Sequence, residues 1–413
     1  MDVVYRCCAG IDVHKKSIAV NLLRRGLPGK KDLDEVRTFG TMTRDLLDLC
    51  EWLGEAGCTH VAMESTGVYW KPIYNILAAD GFEVLLVNAK HIKNVPGRKT
   101  DVKDCQWIGQ LLQHGLLQGS FIPSEPIREL RDLTRQRKQL VRGRASTIQR
   151  IQKVLEDANI KLSSVATDVV GKSGWDMLKR IVAGEQDAEK MADLARGRLK
   201  SKRDELVGAL EGRVTEHHRF MLRQHMKHIE FLDAEIAEYD QRIEEQMRPF
   251  YEYVPLLDTI PGINHTAAFA LIAELGTNMD QFPNEHHLSS WAGMCPGNNE
   301  SAGKHRSGKT RHGSKWLRSI LVEIAWAASR TNGTYFSSQY KRLASRRGKK
   351  RALVAVAHSI LVVIYHVMKE KAPYQELGED FFEKLNSTRL THYYQRKLEK
   401  LGYEVTVTPK KVA

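Results

Sequence analysis

No Cys-x-x-Cys pair occurs among the six cysteines of this 413-residue sequence (Cys7, Cys8, Cys50, Cys58, Cys105, Cys295), and none stands at zinc-ligand spacing from a histidine. That argues against a structural zinc site, and six cysteines spread over so long a chain do not make a disulfide framework. The first residues lack the basic-then-apolar pattern of a secretory signal. The longest apolar run, residues 353–368, contains His358 and His366 and is short for a membrane span, so it predicts a buried helix. Acid is scarce where base is dense. The net charge of +13 and an isoelectric point near 9.3 call for an anionic partner, and the clustering of the cations favours nucleic acid. A cytosolic protein with reduced thiols and no membrane partner is expected. Its length predicts two or three domains, and 42% hydrophobic residues suffice for their cores.

Short apolar runs at 4–11, 17–23, 35–40, 58–63 and 83–87 have strand length. Helical periodicity appears over 43–56, with Thr43 as N-cap, and again over about 68–79. A third helix is expected to open on Asp101. Three strands, helix, strand, helix, strand, helix is the order of a ribonuclease-H-like fold: a mixed α/β sheet with helices on both faces.

On that fold Asp12 ends the first strand and Glu64 the fourth. Carboxylates at strand C-termini face the crevice where open α/β sheets bind ligands. Asp101 and Asp104, three apart, share one helix face. Clustered carboxylates repel, and a hard divalent cation relieves that repulsion. Four acidic groups from three elements predict a two-metal phosphoryl-transfer site, with Mg²⁺ or Mn²⁺ ions about 3.5–4 Å apart. Each acid alone has a bland explanation, as turn residue, strand-end charge or first-turn helix acid. Lys15, Arg98, Lys99 and Lys103 surround them in sequence, as a phosphate substrate requires. Ser65, Thr66 and Gly67 form a strand-to-helix turn suited to an anion. Tyr69 and Trp70 stack on bases or pack against the sheet.

Residues 125–158 predict one long helix. Arg128, Arg131, Arg135, Arg137, Lys138, Arg142, Arg144, Arg150 and Lys153 lie along it against only Glu129 and Asp132 between 128 and 153. This reads as a track for a phosphate backbone, with Arg131, Arg135, Lys138 and Arg142 as contacts. Helices are also expected at 174–183 and 187–197. From 222 to 247, Leu222, His225, Ile229, Leu232, Ile236, Tyr239, Ile243 and Met247 form a coiled-coil seam. That seam serves either as an arm for dimerisation or domain spacing, or as half of a hairpin with the 125–158 helix. At 254–276 an apolar segment, a Pro-Gly turn and an alanine-rich helix form either a helix-hairpin-helix element or a plain helical turn. Residues 296–314 form a glycine-rich loop with Ser301, Ser307, Lys304, Arg306, Lys309 and Arg311. Its backbone can approach a phosphate closely, and a serine there can act as nucleophile if activated, but no nearby His/Asp arrangement supplies a base and these residues alone favour a bare basic loop. Residues 335–351 add a basic patch. The tail predicts a basic helix over 391–400 and a short strand over 403–408.

The segments GIDVHK, AMESTG, GRKTDVKDCQW and WAGMCPGNNESAGKHRSGKTRHG together resemble the DEDD transposases of the insertion-sequence one-hundred-and-ten family, relatives of the Piv invertase. The resemblance covers 5–115 and about 255–330. It implies a RuvC-like domain over 1–124, with Asp12, Glu64, Asp101 and Asp104 as Mg²⁺ ligands. A basic helical and coiled-coil region would follow over 125–250. A mostly helical transposase domain would occupy 251–373, with a tail over 374–413. The resemblance also implies a catalytic serine that forms a transient phosphoserine link to DNA: Ser301 in SAGK, or Ser307 in SGK. Further implied are a structured bridge RNA pairing with target and donor DNA, a dimer-to-tetramer assembly, and action at the bacterial nucleoid. The acids alone also fit a hydrolytic junction resolvase or nuclease with a DNA-clamping serine loop, or a non-catalytic nucleic-acid scaffold indifferent to loss of those acids.

Overall fold

The computed structural model describes residues 2–65, 67–88, 104–296, 300–301, 304–305, 310, 312–385 and 387–406, with only the backbone of 300–301, 304–305 and 388–390. The chain divides into two compact units, Met1–Ile122 and Pro123–Ala413.

The first unit is a five-stranded mixed sheet in the order β3-β2-β1-β4-β5. Its strands are β1 (Cys7–Val13), β2 (Ser17–Arg24), β3 (Leu33–Gly40), β4 (His60–Glu64) and β5 (Glu83–Val87). β1, β2 and β3 form an antiparallel meander, and β4 and β5 add in parallel beside β1. The helices are α1 (Thr43–Ala56), α2 (Trp70–Ala79) and α3 (Asp104–Gln113). α1 buries Leu46, Leu49, Cys50 and Leu53, one stripe at helical spacing, and stops where Gly57 turns left-handed at φ 78°. Its N-cap is Met42 and not the expected Thr43, which is already helical. The Asp45 carboxylate accepts the Met42 N–H from inside the first turn at 3.2 Å.

Strand alternation sorts the sheet into two faces. Cys7, Ala9, Ile11 and Val13 of β1, with Val61 and Met63 of β4, pack under α1 and α2. Cys8 of β1 and Ala62 of β4 pack under α3, against Ile108, Leu111 and Leu112. α3 crosses β1 in backbone contact. A Cβ on Gly10 would lie 2.2 Å from the Gly109 nitrogen and 2.3 Å from the Cys105 carbonyl oxygen, so glycine at both positions sets the closeness of that crossing.

The second unit is helical. Its elements are α4 (Glu125–Asp157), α5 (Leu162–Val165), α6 (Lys172–Ala183), α7 (Ala188–Ala192), α8 (Arg203–Leu210), α9 (Glu216–Met247), α10 (Tyr253–Asp258) and α11 (His265–Leu275). Then follow α12 (Glu285–Trp291), a small hairpin of β6 (Glu300–Ser301) and β7 (Lys304–His305), and α13 (Lys315–Ala328). The last helices are α14 (Tyr335–Arg347), α15 (Lys349–Glu370), α16 (Phe381–Leu385) and α17 (Ser387–Glu399).

The seam alternative is decided in favour of the hairpin. Glu129 meets Gln246, Arg137 meets Asp240, Arg144 meets Asp233 and Asp157 meets His218. As one number rises the other falls in step, which is the register of an antiparallel pair running about 40 Å at 1.5 Å per residue. Leu222, Ile229, Leu232, Ile243 and Met247 are buried in it. Ile151, Leu155, Leu222 and Met226 continue into a second core with Met177, Leu178, Ile181 and Leu206 from the intervening short helices. The apolar run at 353–368 lies within α15, which is long and apolar enough to cross a membrane. Its Val356, Ile360, Leu361, Ile364 and Met368 are buried inside this unit, as a core helix requires. The expected tail strand does not form over 403–406, which are coil; residues 407–408 lie outside the described residues.

Candidate active site and the serine hairpin

Asp12 is the sixth residue of β1 and Glu64 the last of β4. Neighbouring strand residues pair as Gly10 with Ala62 and Ile11 with Met63, so Asp12 and Glu64 continue the same parallel register. Parity then fixes their face. Asp12 follows Cys8 and Gly10, Glu64 follows Ala62, and both therefore project on the α3 side. Asp104 is the first residue of α3, next to Cys105, whose carbonyl lies over Gly10. Three of the four expected acids are thus delivered to one side of the sheet at its carboxyl end. Asp101 lies outside the described residues, as do Arg98, Lys99 and Lys103. Among the described residues no three His, Cys, Asp or Glu side chains form a ready metal cluster. The donor set, carboxylate oxygens alone, fits a hard divalent cation.

Next to Asp12 stands the histidine of the GIDVHK segment. His14 Nε2 lies 3.2 Å from Asp12 Oδ2, with His14 largely exposed. Lys15 is exposed in the same β1–β2 turn, and its carbonyl accepts from the Thr41 hydroxyl at 3.2 Å. After Glu64, Ser65 N–H donates to the Val87 carbonyl and Gly67 takes φ 55°. Thr66 lies outside the described residues. Trp70 packs edge-on to Tyr74, 5.8 Å between centroids, at the margin of the α1–α2 core, so it serves packing; Tyr69 is exposed.

In the second unit the basic helix is used differently from the sequence reading. Arg131 donates to the Ala273 and Glu274 carbonyls at 3.0 and 2.6 Å. Arg135 grips the Glu274 carboxylate with two bonds of 2.6 and 2.9 Å. Glu274 is 2% exposed. Burial pushes the Arg131 guanidinium below its ordinary pKa, opposed by the charge of Glu274. Lys138 reaches Ser319 and Glu323 at 3.1 and 2.9 Å. Arg131, Arg135 and Lys138, expected to hold phosphates, therefore bind groups of their own chain, because α11 and α13 bring acids and carbonyls from far along the sequence. Arg142 stays exposed, 5.5 Å over the Trp316 ring, with Arg135 at 5.6 Å on the same ring. Arg135, Lys138 and Trp316 border a cleft of about 770 Å³ that also includes Asn264, His265 and Thr266.

The α10–α11 turn is a helical hairpin with Gly262 at φ 89°. A Cβ there would lie 2.6 Å from the Ile324 carbonyl oxygen, so this glycine seats the turn on α13.

The glycine-rich loop carries secondary structure that its composition concealed. Pro296 bridges Thr310, Glu300 pairs with His305 and Ser301 with Lys304. Ser301 thus lies in an antiparallel strand pair, and the Gly303 of SAGK is the sequence signal that could have revealed it. At the base, a Cβ on Gly313 would lie 2.2 Å from the Ala292 carbonyl oxygen. Ser314 caps α13 by accepting from Leu317 N–H at 3.2 Å, and its hydroxyl donates to Glu274 Oε2 at 3.1 Å. One buried glutamate therefore ties α4 to the end of the serine loop. Ser307, Arg306, Lys309 and Arg311 lie outside the described residues, and of Ser301 and Lys304 the backbone alone is described.

A DEDD transposase family model matches residues 9–160, and a second, for the transposase IS116/IS110/IS902 family, matches 254–341. A transposase for insertion sequence element IS1111A from Coxiella burnetii is 24% identical over 331 residues, 78% of this chain and 80% of that one. A putative transposase, y4qE, from Sinorhizobium fredii is 23% identical over 327 residues, 77% of this chain and 70% of that one. The chain belongs to the IS110 family of transposases.

Proposed function

We propose that this transposase cuts and rejoins DNA strands with two sets of groups: the acids Asp12, Glu64, Asp101 and Asp104, and the Ser301 hydroxyl. The observation that carries the reading is the shared face of Asp12 and Glu64 beside the helix that Asp104 opens. These carboxylates would hold Mg²⁺ or Mn²⁺, which when bound polarises the scissile phosphate and stabilises the leaving oxygen. Ser301 attacks the phosphorus, forms a phosphoserine ester and releases a strand end; attack by another strand end on that ester rejoins DNA and frees the serine. Its seat on a short hairpin, with a base clamped by Gly313 and Ser314, suits a nucleophile that must be presented to DNA. Lys15, Lys304 and the cations at 98–103 and 306–311 hold the backbone.

A structured bridge RNA supplies target choice by base pairing while the protein binds shape and backbone. Subunits assemble as dimers and tetramers, so that one subunit's serine meets another's carboxylates, in the bacterial cytoplasm at the nucleoid. The working divisions are 1–124 for the metal-site domain, 125–250 for the helical arm, 251–373 for the serine domain and 374–413 for the tail.

The test is covalent trapping with the full-length protein, the element's RNA, labelled target and donor DNA and Mg²⁺, beside Ser301→Ala and Asp104→Asn. An adduct mapped by mass spectrometry to Ser301 and lost in both variants is expected. Metal-dependent cleavage that survives Ser301→Ala without an adduct would assign hydrolysis instead, with the serine hairpin as a clamp.

A further inference from the structure

The cations that the long helix α4 keeps for its own chain leave open where, beyond the serine loop, a phosphate backbone is gripped in the second unit. One stretch answers that description. Between 341 and 351 stand Lys341, Arg342, Arg346, Arg347, Lys349, Lys350 and Arg351, with no acid among them. All seven are exposed. Among the described residues, none of them has a carboxylate within ion-pair distance, whereas Arg135, Arg137, Lys138 and Arg144 of α4 each do. Arg342 lies over the Phe382 ring, 4.0 Å from its centroid, which fixes its direction without neutralising it.

The backbone gathers these charges at one corner. Gly348, at φ 82°, is both the last cap of α14 and the first cap of α15, so two helix ends meet there. Arg346 and Arg347 occupy the last turn of α14, where the helix dipole welcomes cations. Lys349, Lys350 and Arg351 occupy the first turn of α15, where the same dipole disfavours them, and that turn has no acid and no side-chain cap. A local rule broken without compensation inside the fold points to a compensation outside it. The stretch begins where the family match ends, at residue 341.

We infer that this corner is a sequence-independent grip on duplex DNA. The inference rests on the reading of the protein as a DNA-handling transposase. Duplex DNA is favoured over unpaired RNA because the stretch offers no aromatic side chain for stacking on splayed bases and no amide side chain to read a base edge. What it offers is a dense row of point charges and guanidinium forks, matched to phosphates spaced about 1.7 Å apart along the duplex axis.

The test measures binding of the full-length protein to a labelled duplex of random sequence over a series of salt concentrations, with structured RNA as a separate ligand. Lys349→Gln/Lys350→Gln/Arg351→Gln is compared with wild type. The slope of log K against log salt is expected to fall by about 0.9 for each phosphate that is no longer neutralised, hence by about 3, and affinity by about tenfold or more. Thermal melting should hold or rise, because the three cations leave a helix start. A second variant, Arg346→Gln/Arg347→Gln, removes cations from a helix end that favours them; its DNA slope should also fall, while its melting does not rise. Unchanged DNA slopes in both variants would overturn the proposal, as would a loss confined to RNA. Wild type that binds no DNA at all would overturn the transposase reading with it.

Discussion

The acids of the first unit and the cations of the second were equally conspicuous in sequence, and the fold treats them in opposite ways. Asp12, Glu64 and Asp104 are delivered to one side of a sheet by strand parity and a helix start. Arg131, Arg135, Arg137, Lys138 and Arg144 are turned onto their own chain, to carbonyls and carboxylates of α9, α11 and α13. The difference is one of period. A strand's two-residue alternation assigns a face with no knowledge of the partner, whereas a helix face rich in cations leaves open what packs on it. Acids gathered by the backbone are offered together on one face, and cations matched by distant acids become part of the fold.

The sharpest way to break that contrast is to change one member on each side. Asp104→Asn should lower strand cleavage on the order of 10³-fold, the rate equivalent of losing several kcal/mol of charge stabilisation, with little change in melting. A variant that melts early, or cuts normally, would remove Asp104 from the site. Glu274→Ala should do the reverse. It takes both carboxylate bonds from Arg135 and the opposing charge from Arg131 in a half-buried setting, and should cost about 3–5 kcal/mol in denaturant unfolding of the second unit. Replacing Arg135 and Glu274 together by Met should recover much of that loss; a double variant as unstable as Glu274→Ala would show that the pair's charge is not the issue.

Next in size is the crossing that puts α3 on the sheet. Gly10→Ala forces a methyl to within 2.2 Å of the Gly109 nitrogen, and neither partner is a flexible side chain. A loss of about 3 kcal/mol is expected, measured by urea unfolding of the first unit, with a parallel fall in cleavage as α3 lifts from Asp12. If Gly10→Ala unfolds no more easily and cuts as well as wild type, the crossing does not hold the site together.

Much of this fold was legible because its signals are local. The succession of elements along the first unit and the positions of Asp12 and Glu64 near strand ends follow from short apolar runs, and α1, β5 and α4 begin where their periodicity begins. What stayed hidden depended on partners or on very short elements. The two-residue strands around Ser301 carry no periodicity, the cap of α1 is supplied from within its first turn, and the buried Glu274 reads in sequence as one more acid at a helix end. The hairpin of α4 with α9 stood level with a dimerising arm in sequence because an apolar seam has the same spacing whichever chain covers it.

The outer ion pairs of that hairpin give the smallest effect and the finest comparison. Arg137–Asp240 and Arg144–Asp233 bridge the same helices as the apolar seam, but both aspartates are 49% exposed. Water screens such pairs, so Asp240→Asn or Asp233→Asn should each cost no more than about 1 kcal/mol, and the cost should shrink in high salt. Removing them also frees two arginines on the long helix. If freed arginines suffice to hold phosphate, the double variant should bind duplex DNA more tightly, with a salt slope steeper by up to about 2. An unchanged slope would mean that these positions face away from DNA even when unpaired. The sequence's basic stripe would then be a structural feature of the arm, with the grip left to cations that have no internal partner.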